Sequence, residues 1–404
     1  MFGPNLQRIR SDFPVLSRCT YFDNACMTLK PRQVIEKMNE YYSEYTACSG
    51  RSAHRLADRT GTEMELARAA IARQIGAKRD EVVFQRNTTE GINLVAGSLE
   101  FSKGDEILTT DIEHNSNLLP WQKAAAISGA THRVIPTNSE FQPDFDFLAS
   151  ELKKGRVKLV ALPLVSNISG TRMPAEKISR LAHSAGALVL VDGAQGVPSS
   201  RTSVSSLGCD FLCFSGHKMC GPTGTGILWG RKKLLEELPP FLVGGETVAN
   251  STYSSADYEK PPAKFEAGLQ DYAGIIGLGA ASNYLQKLGF GFIEGRKRKL
   301  VKVLVEGLRK IPQVRLISPE RPAEYSSALA NFSVEGLDHH QVAITLDEVG
   351  KIALRSGRHC VHSWYNSRKI SGSVRPSLYF YNTEGEVEFF LKTLSRIVSD
   401  LSPA

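Results

Sequence analysis

The feature of this chain that most constrains its fold is a repeating order of short apolar segments, polar residues and longer amphipathic segments. The apolar segments span residues 81–84, 106–109, 157–162 and 187–192, and we predict each to be a strand. Helical patterns separate most of them, and one predicted helix covers residues 61–76. Strands that alternate with helices predict an α/β fold with a mostly parallel sheet that is covered on both faces.

The length of 404 residues favours one large and one smaller domain. The pattern changes near residue 285, within a long amphipathic stretch at about 282–310. We therefore predict an N-terminal segment at 1–22 that packs on the small domain, a large domain at 23–285 and a small C-terminal domain at 286–404.

Composition excludes several classes of function. The chain is 42% hydrophobic and 23% charged, as globular proteins are, and no apolar stretch is long enough for a membrane helix. The N-terminal sequence lacks the apolar region of a secretion signal, so we expect a cytoplasmic protein without a membrane partner. The net charge of +7 is dispersed, and the basic run at 295–300 reads as a solvated helix face, so we expect no direct nucleic-acid partner.

The seven cysteines are an odd number without a Cys-x-x-Cys pair. This argues against a disulfide framework and against a zinc knuckle, and we expect no metal site. We interpret most of the cysteines as small core residues, with Cys360 as the exception.

Polar side chains follow the predicted strands at the edge where open α/β sheets bind ligands. Asn167, Asp192 and Lys218 follow three consecutive strands, so their side chains can converge. Lys218 lies among the small and polar residues that follow the apolar run from Phe211, and a glycine-rich turn comes next. This placement indicates a held amine that can form a Schiff base with an aldehyde cofactor. A surface lysine beside a hairpin is the alternative. The same edge carries four further polar residues: His114, Gln195, Ser215 and His217.

Thr88 and Thr89 begin a predicted helix, where hydroxyls and free N–H groups form an anion site. Taken singly, Asp192 and the threonines could be helix caps, and His114 could be a loop histidine. Together they supply an anion cradle, a carboxylate, an amide, an imidazole and an amine. Pyridoxal 5'-phosphate requires this combination.

Seven motifs, spread over nearly the whole chain, resemble those of a known enzyme family. They lie at residues 86–96, 113–114, 165–167, 191–195, 215–218, 265–268 and 355–360. In this order they resemble the cysteine desulfurases among the class V aminotransferases, and most of all the group II, SUF-type branch that includes selenocysteine lyase-like enzymes. The resemblance implies the pyridoxal phosphate fold type I, with a mostly parallel seven-stranded sheet in the large domain and a smaller α+β C-terminal domain.

The resemblance also implies roles for the residues at the strand ends. Lys218 would carry the cofactor and move the Cα proton, Asp192 would pair with the ring nitrogen, and Gln195 with the ring oxygen. His114 would stack on the ring and take part in proton transfer. The phosphate would be held by Thr88, Thr89, Ser215 and His217, and the substrate by Asn167, Arg355 and Arg375. An ordinary surface ion pair is the alternative for Arg375.

Cys360 lies in a polar segment between two apolar runs, which predicts a loop. Arg358, His359 and His362 flank it, and positive neighbours favour the nucleophilic thiolate. In the resembling enzymes this position carries the persulfide. A partly buried, unreactive cysteine is the alternative.

These roles imply a pyridoxal phosphate-dependent cysteine desulfurase that converts L-cysteine to L-alanine. Sulfur would pass from Cys360 to an acceptor protein for iron–sulfur cluster assembly or for thio-cofactor or tRNA synthesis, and the resemblance implies a homodimer. Other class V activities stay open: selenocysteine lyase, another C–S lyase, an epimerase or a transaminase. A non-catalytic sulfur-trafficking protein is a further alternative, against which the intact Lys218, Asp192 and Cys360 argue.

Three segments depart from the pattern of the resembling enzymes. Leu269 stands where a threonine usually reaches the phosphate of the neighbouring subunit, and Gln270 or a backbone N–H could replace it. Residues 50–52 read Gly-Arg-Ser instead of His-Arg-Gly, and 361–363 read Val-His-Ser where Ala-x-Pro is frequent. These departures make a different substrate or acceptor more plausible, and they leave the cofactor unaffected.

Overall fold

The computed structural model describes residues 4–321 and 325–401. Its strands are β1 (Thr20–Tyr21), β2 (Val82–Gln85), β3 (Glu106–Thr110), β4 (Thr131–Ile135), β5 (Val157–Pro163), β6 (Leu188–Asp192), β7 (Phe211–Ser215), β8 (Gly226–Gly230), β9 (Val248–Ser251), β10 (Ala256–Tyr258), β11 (Val314–Leu316), β12 (Phe332–Val334), β13 (Ile352–Ala353), β14 (Arg355–Gly357) and β15 (Ser373–Arg375).

The α-helices of the described residues are α1 (Leu6–Ser11), α2 (Arg32–Glu44), α3 (Arg55–Ile75), α4 (Thr88–Ser98), α5 (Asn115–Ser128), α6 (Phe145–Lys153), α7 (Ala175–Ser184), α8 (Val204–Leu207), α9 (Lys232–Glu237), α10 (Tyr272–Leu288), α11 (Phe290–Leu308), α12 (His339–Gly350), α13 (His362–Ser367) and α14 (Glu384–Leu401). None of the helices in these two ranges is both long and apolar enough to cross a membrane.

A seven-stranded sheet forms the centre of the fold, in the order β2-β8-β7-β6-β5-β3-β4. Only β8 among these seven runs antiparallel to its neighbours, β7 and β2. The predicted mostly parallel α/β sheet is therefore confirmed. The four predicted strands all form, and each of their ends lies within one residue of its predicted position.

Successive residues of the central strands point into two separate hydrophobic clusters. In β5, Val160 and Leu162 face one cluster, and Leu159 and Ala161 face the other. Helices α2, α3 and α10 contribute to the first cluster, and α4 and α5 to the second. Because both faces are covered, these strands read as continuous apolar runs.

Strand β4 was not predicted from the sequence. It lies at the edge of the sheet, and four of its five residues keep some exposure to solvent. An edge strand needs no continuous apolar run, so the pattern that indicated the central strands is missing here.

The amphipathic stretch at about 282–310 covers the end of one helix and the whole of the next. Helix α10 ends at Leu288, and Gly289, with a positive φ of 82°, separates it from α11. Glycine adopts this conformation without the steric cost of a Cβ atom. Leu285 lies in the core beside the central sheet, whereas Leu300 and Leu304 lie in a second core.

That second core lies beside a four-stranded sheet in the order β11-β12-β15-β14, and α11, α12 and α14 contribute to it. The N-terminal residues contact this part of the chain. Strand β1 pairs in parallel with β13, and Arg10 forms an ion pair with Glu386 at 2.7 Å. Phe13, however, packs on Tyr284 and Tyr381 in the first core. The division into domains at residues 22 and 285 stays a prediction.

Candidate active site

A cavity of about 220 Å³ lies beyond the carboxyl ends of β5, β6 and β7. The parallel strands bring their ends to the same edge of the sheet, as the sequence predicted. Eleven residues predicted for the site line this one cavity: Thr88, Thr89, His114, Asn167, Asp192, Gln195, Ser215, His217, Lys218, Arg355 and Arg375.

Lys218 and Asp192 form the charged centre of the cavity. Asp192 ends β6, and its Oδ1 accepts a hydrogen bond from the N–H of Ala194 at 2.8 Å. Lys218 ends the single 3₁₀ turn that follows β7. Burial lowers the pKa of Lys218 and raises the pKa of Asp192, and each group opposes the shift of the other. The amine and the carboxyl group therefore interact within one low-dielectric site.

Hydroxyl groups gather at the N-terminus of α4. Thr88 donates its N–H to Ser215 Oγ at 2.9 Å, and the hydroxyls of the two residues lie 2.6 Å apart. Thr89 Oγ1 lies 2.7 Å from the hydroxyl of Ser116. Asn87 caps the helix, since its side chain accepts the N–H of Glu90, so the threonines are not the caps. A helix N-terminus with hydroxyls suits a phosphate group.

A glycine lets β8 approach this helix N-terminus. A Cβ atom on Gly226 would lie 2.5 Å from the Cα atom of Asn87, well inside normal contact distance. Any larger residue would therefore push the cap of α4 away from the cavity.

His114 is held as a neutral imidazole. It precedes α5, and its Nδ1 accepts the N–H of Ser116 at 3.1 Å. Burial, aided by the charge of Lys218, lowers the pKa of His114 to about 3. At neutral pH the ring is uncharged, and its proton lies on Nε2 because Nδ1 acts as an acceptor. Gln195 donates one amide N–H to Ala25 O at 2.7 Å and keeps a second N–H.

Arg375 is a fully buried cation on β15. Its Nη1 donates to the carbonyl oxygen of Asn167 at 3.0 Å, and its Nη2 lies 3.7 Å from Asp23 Oδ1. Within the described residues, Nε and Nη2 have no hydrogen-bond partner. Burial lowers the pKa of Arg375 to about 10, which leaves it charged at neutral pH. Unpaired buried donors are costly, and a bound carboxylate would satisfy them.

Cys360 lies outside the lining of the cavity but is linked to it by Arg355. The thiol is half-buried in the turn between β14 and α13, and Arg355 Nη2 donates to its Sγ at 3.2 Å. The turn is held by two bonds to the strand-end loops. Asn167 Nδ2 donates to His359 O at 2.9 Å, and Asn115 N donates to Cys360 O at 2.7 Å. A guanidinium group beside a sulfur atom stabilises negative charge on it.

The expectation that His359 supplies positive charge to this thiol is wrong. His359 is buried, its Nε2 lies 2.9 Å from Ser373 Oγ, and burial holds its pKa well below the usual range. Arg358 bonds to Ser371 O and Asn366 Oδ1. The cation that contacts the sulfur is Arg355, for which the resemblance implied a role in substrate binding.

Sequence reasoning missed several residues of the cavity wall, among them Cys26 and Ser116. Cys26 was interpreted with most cysteines as a core residue, but it is half-buried and lines the cavity beside Lys218. No strand pattern in the sequence placed its segment at the sheet edge. Ser116 follows His114 closely and could have been included with that strand end.

Two of the departures noted in the sequence lie away from the cavity. Leu269 is 65% exposed and does not line it. The side chain of Gln270 turns back on its own loop, since Nε2 donates to Ala267 O at 3.2 Å and to Gly268 O at 3.3 Å. The other departure is at residues 50–52, where Arg51 forms an ion pair with Glu246.

The fold and the site are those of a pyridoxal phosphate-dependent enzyme, and comparison with known proteins agrees with this class. The family described as aminotransferase class-V matches residues 20–390, so the chain belongs to that family. A probable cysteine desulfurase of Synechocystis is 42% identical over 400 residues, which cover 96% of this chain and 95% of the relative.

Two solved structures are also similar over the full length. The apo cysteine desulfurase of Thermococcus onnurineus has a TM-score of 0.95 and 38% identity, with 99% of both chains covered. A cysteine desulfurase of Escherichia coli in an S-sulfonic acid form has a TM-score of 0.91 and 34% identity, with 99% of this chain and 100% of that chain covered.

Enzymes of this family use pyridoxal 5'-phosphate, and the cavity fits this cofactor. Its donor set includes the hydroxyls at the start of α4, the Asp192 carboxyl group and the Lys218 amine. These groups match the phosphate, the ring nitrogen and the aldehyde in chemical type.

Proposed function

We propose that this chain is a cysteine desulfurase that converts L-cysteine to L-alanine and leaves the sulfur on Cys360 as a persulfide. The observation that carries the proposal is a single cavity with Lys218, Asp192 and the incompletely paired Arg375, joined through Arg355 to the Cys360 thiol. Relatives named as cysteine desulfurases match nearly the whole chain and support the same reaction.

The cofactor would be held from several sides. Thr88, Thr89, Ser215 and His217 would hold the phosphate, Asp192 the ring nitrogen and the second N–H of Gln195 the ring oxygen. His114 would lie against the ring. When bound, pyridoxal phosphate supplies an electron sink for the bonds at the substrate Cα atom.

Arg375 and Asn167 would orient the substrate. The unpaired Nε and Nη2 atoms of Arg375 would both donate to the cysteine carboxylate. Asn167 accepts from Arg375 through its carbonyl oxygen and donates to the Cys360 turn through its amide. The same residue thus sets the distance between the substrate and the thiol.

Proton transfer would be carried out by Lys218. Burial lowers its pKa, which increases the fraction of neutral amine that can accept the Cα proton. His114, neutral with its proton on Nε2, would donate a hydrogen bond toward the cavity without adding a second cation beside Lys218.

Cys360 would perform the sulfur step. Its thiolate, next to Arg355, attacks the substrate sulfur, so that a bond from Cys360 Sγ to that sulfur forms and the Cβ–S bond breaks. The electron pair of the broken bond stays with the carbon skeleton, which takes up a proton and leaves as alanine. No external oxidant or reductant is needed for this step.

The test is to incubate the purified holoenzyme with L-cysteine and a reductant and to measure alanine and sulfide. We expect Cys360→Ala to lower the rate by at least about a hundredfold, or about 2.7 kcal/mol in activation free energy. Lys218→Ala should lose both turnover and the visible absorbance of the lysine-linked cofactor. The control Cys48→Ala removes a half-buried thiol outside the cavity and should keep the wild-type rate. Full activity in Cys360→Ala would refute the role of that thiol.

We further propose a homodimer that passes the persulfide sulfur to an acceptor protein, for iron–sulfur cluster assembly or thio-cofactor or tRNA synthesis. An exposed apolar patch formed by Phe241, Leu242, Val243 and Leu269 supports an association surface. Light scattering should report a dimer, and Val243→Asp should weaken it. The control Ile127→Asp, at an exposed apolar residue outside the patch, should not. A wild-type monomer would refute the dimer.

A cytoplasmic location stays a prediction.

A further inference from the structure

We propose that Cys26 is a second sulfur-accepting thiol of this site, which takes the outer sulfur from the Cys360 persulfide and frees Cys360 for another turnover. This inference rests on the proposed desulfurase function.

Cys26 is held at the wall of the cavity by a rigid turn. Ala25 donates its N–H to Ser377 Oγ at 2.9 Å and accepts from Gln195 at 2.7 Å. Asn24 Nδ2 donates to Ser377 O at 2.7 Å. These bonds fix both residues that precede Cys26, so the thiol keeps its place in the cavity lining.

The exposure of Cys26 sets it apart from the cysteines of the sheet region. Cys209, Cys213 and Cys220 are fully buried, and burial raises the pKa of each thiol. Cys26 is half-buried and faces the same space as Lys218. It is therefore accessible to a ligand in the cavity, whereas those three thiols are not.

The guanidinium group of Arg355 interacts with both Cys26 and Cys360. Arg355 donates to Cys360 Sγ at 3.2 Å and also interacts electrostatically with the Cys26 sulfur. Arg355 and Cys26 line the same cavity. The guanidinium group of Arg355 therefore interacts with both sulfur atoms.

A second, independent observation points to an anionic ligand beside Cys26. Arg375 lines the cavity, is fully buried, interacts with Cys26 and, among the residues described, has no hydrogen-bond partner for Nε and Nη2. An anionic substrate bound to these donors lies in the cavity that Cys26 lines. The substrate sulfur would therefore enter a cavity whose wall carries the Cys26 thiol.

The transfer of sulfur from Cys360 to Cys26 needs no further reactant. The Cys26 sulfur attacks the outer sulfur of the Cys360 persulfide while its proton passes to the neighbouring Asp23 carboxylate. A Cys26–sulfur bond forms, the bond from Cys360 Sγ to the outer sulfur breaks, and its electron pair stays on Cys360 as a thiolate. Arg355, which donates to Cys360 Sγ, then lies beside the thiolate that leaves.

The test counts sulfur atoms in the absence of reductant. Holoenzyme is mixed with excess L-cysteine, the alanine burst is measured, and the thiols are alkylated for peptide mass spectrometry. We expect about two alanines per chain in the wild type and about one in Cys26→Ala, because each persulfide stores one sulfur atom. Wild-type peptides should carry an extra sulfur at both Cys26 and Cys360. Cys48→Ala is the matched control and should keep the wild-type burst.

One further variant and the wild-type burst itself separate the possible failures. Cys26→Ser retains the size of the side chain and should match Cys26→Ala in its burst, with the cofactor absorbance unchanged. A wild-type burst of one alanine with sulfur on Cys360 alone would overturn the role of Cys26 and leave the desulfurase intact. A wild-type enzyme without alanine, or with no sulfur on Cys360, would instead overturn the proposed function.

Discussion

At the scale of the residue, Arg375 is the side chain whose surroundings most clearly call for a ligand. It is fully buried, yet its Nε and Nη2 atoms have no hydrogen-bond partner in the parts of the chain that the structure describes. The fork geometry of a guanidinium group can place two donors on one carboxylate, which a lysine ammonium group cannot reproduce.

We therefore expect Arg375→Lys to raise the KM for cysteine by about 10- to 100-fold, since a hydrogen bond to a charged group contributes about 1.5–3 kcal/mol. Steady-state kinetics measures this, and kcat should fall less than KM rises. Arg358→Lys is the control, because Arg358 is exposed in a neighbouring segment outside the cavity. An unchanged KM in Arg375→Lys would remove this residue from the substrate site.

At the scale of the element, a buried ion pair joins α3, β2 and the loop before α10. Arg68 donates to both carboxylate oxygens of Glu266, at 2.7 and 3.0 Å, and Glu266 also accepts the N–H of Phe84 at 2.7 Å. Glu266 belongs to a motif that carried the resemblance, and here it anchors the loop that leads to Leu269.

Arg68→Ala would leave Glu266 buried without its cation, and we expect a loss of about 3–5 kcal/mol in the free energy of unfolding. Arg59→Ala, on the same helix, removes an exposed partner of Glu40 and Glu44 and should destabilise the protein much less. Urea unfolding of both variants gives the comparison. Equal effects would mean that the buried pair contributes no more than a surface pair.

At the scale of the whole molecule, burial of histidines makes stability depend on pH. The pKa of His114 is about 3 in the fold, against about 6.5 in the unfolded chain. Between these values the unfolded state binds the additional proton, so His114 lowers the free energy of unfolding as pH falls from about 6.5. The effect reaches about 1.4 kcal/mol per pH unit.

His114→Gln removes this contribution. We expect the decline in stability between pH 6.5 and about 5 to be shallower in the variant than in the wild type, by up to about 1.4 kcal/mol per pH unit. Denaturant titrations at several pH values measure the two slopes. The difference between variant and wild type isolates His114 from buried carboxyl groups such as Glu113, whose raised pKa acts in the opposite direction. Parallel slopes would show that His114 is not protected from protonation by the fold.

Much of the candidate site could be predicted because its residues follow strands. The apolar runs of β5, β6 and β7 mark the places where Asn167, Asp192 and Lys218 leave the sheet. The rule that parallel strands end at one edge then brings these residues together without any further information. The edge strand β4 and the break at Gly289 could not be predicted in this way, since neither carries an apolar pattern of its own.

The sequence by itself determined the mostly parallel sheet, the strand-end constellation and, through the resemblance, its cofactor. Only the tertiary structure decided what surrounds the two thiols. Arg355 and Arg375 come from a second sheet, and Cys26 comes from a turn near the N-terminus. Their proximity depends on how separately formed parts of the chain pack. Local sequence patterns specify helices and strands, whereas the partners of a buried charge are set by contacts between residues far apart in the chain.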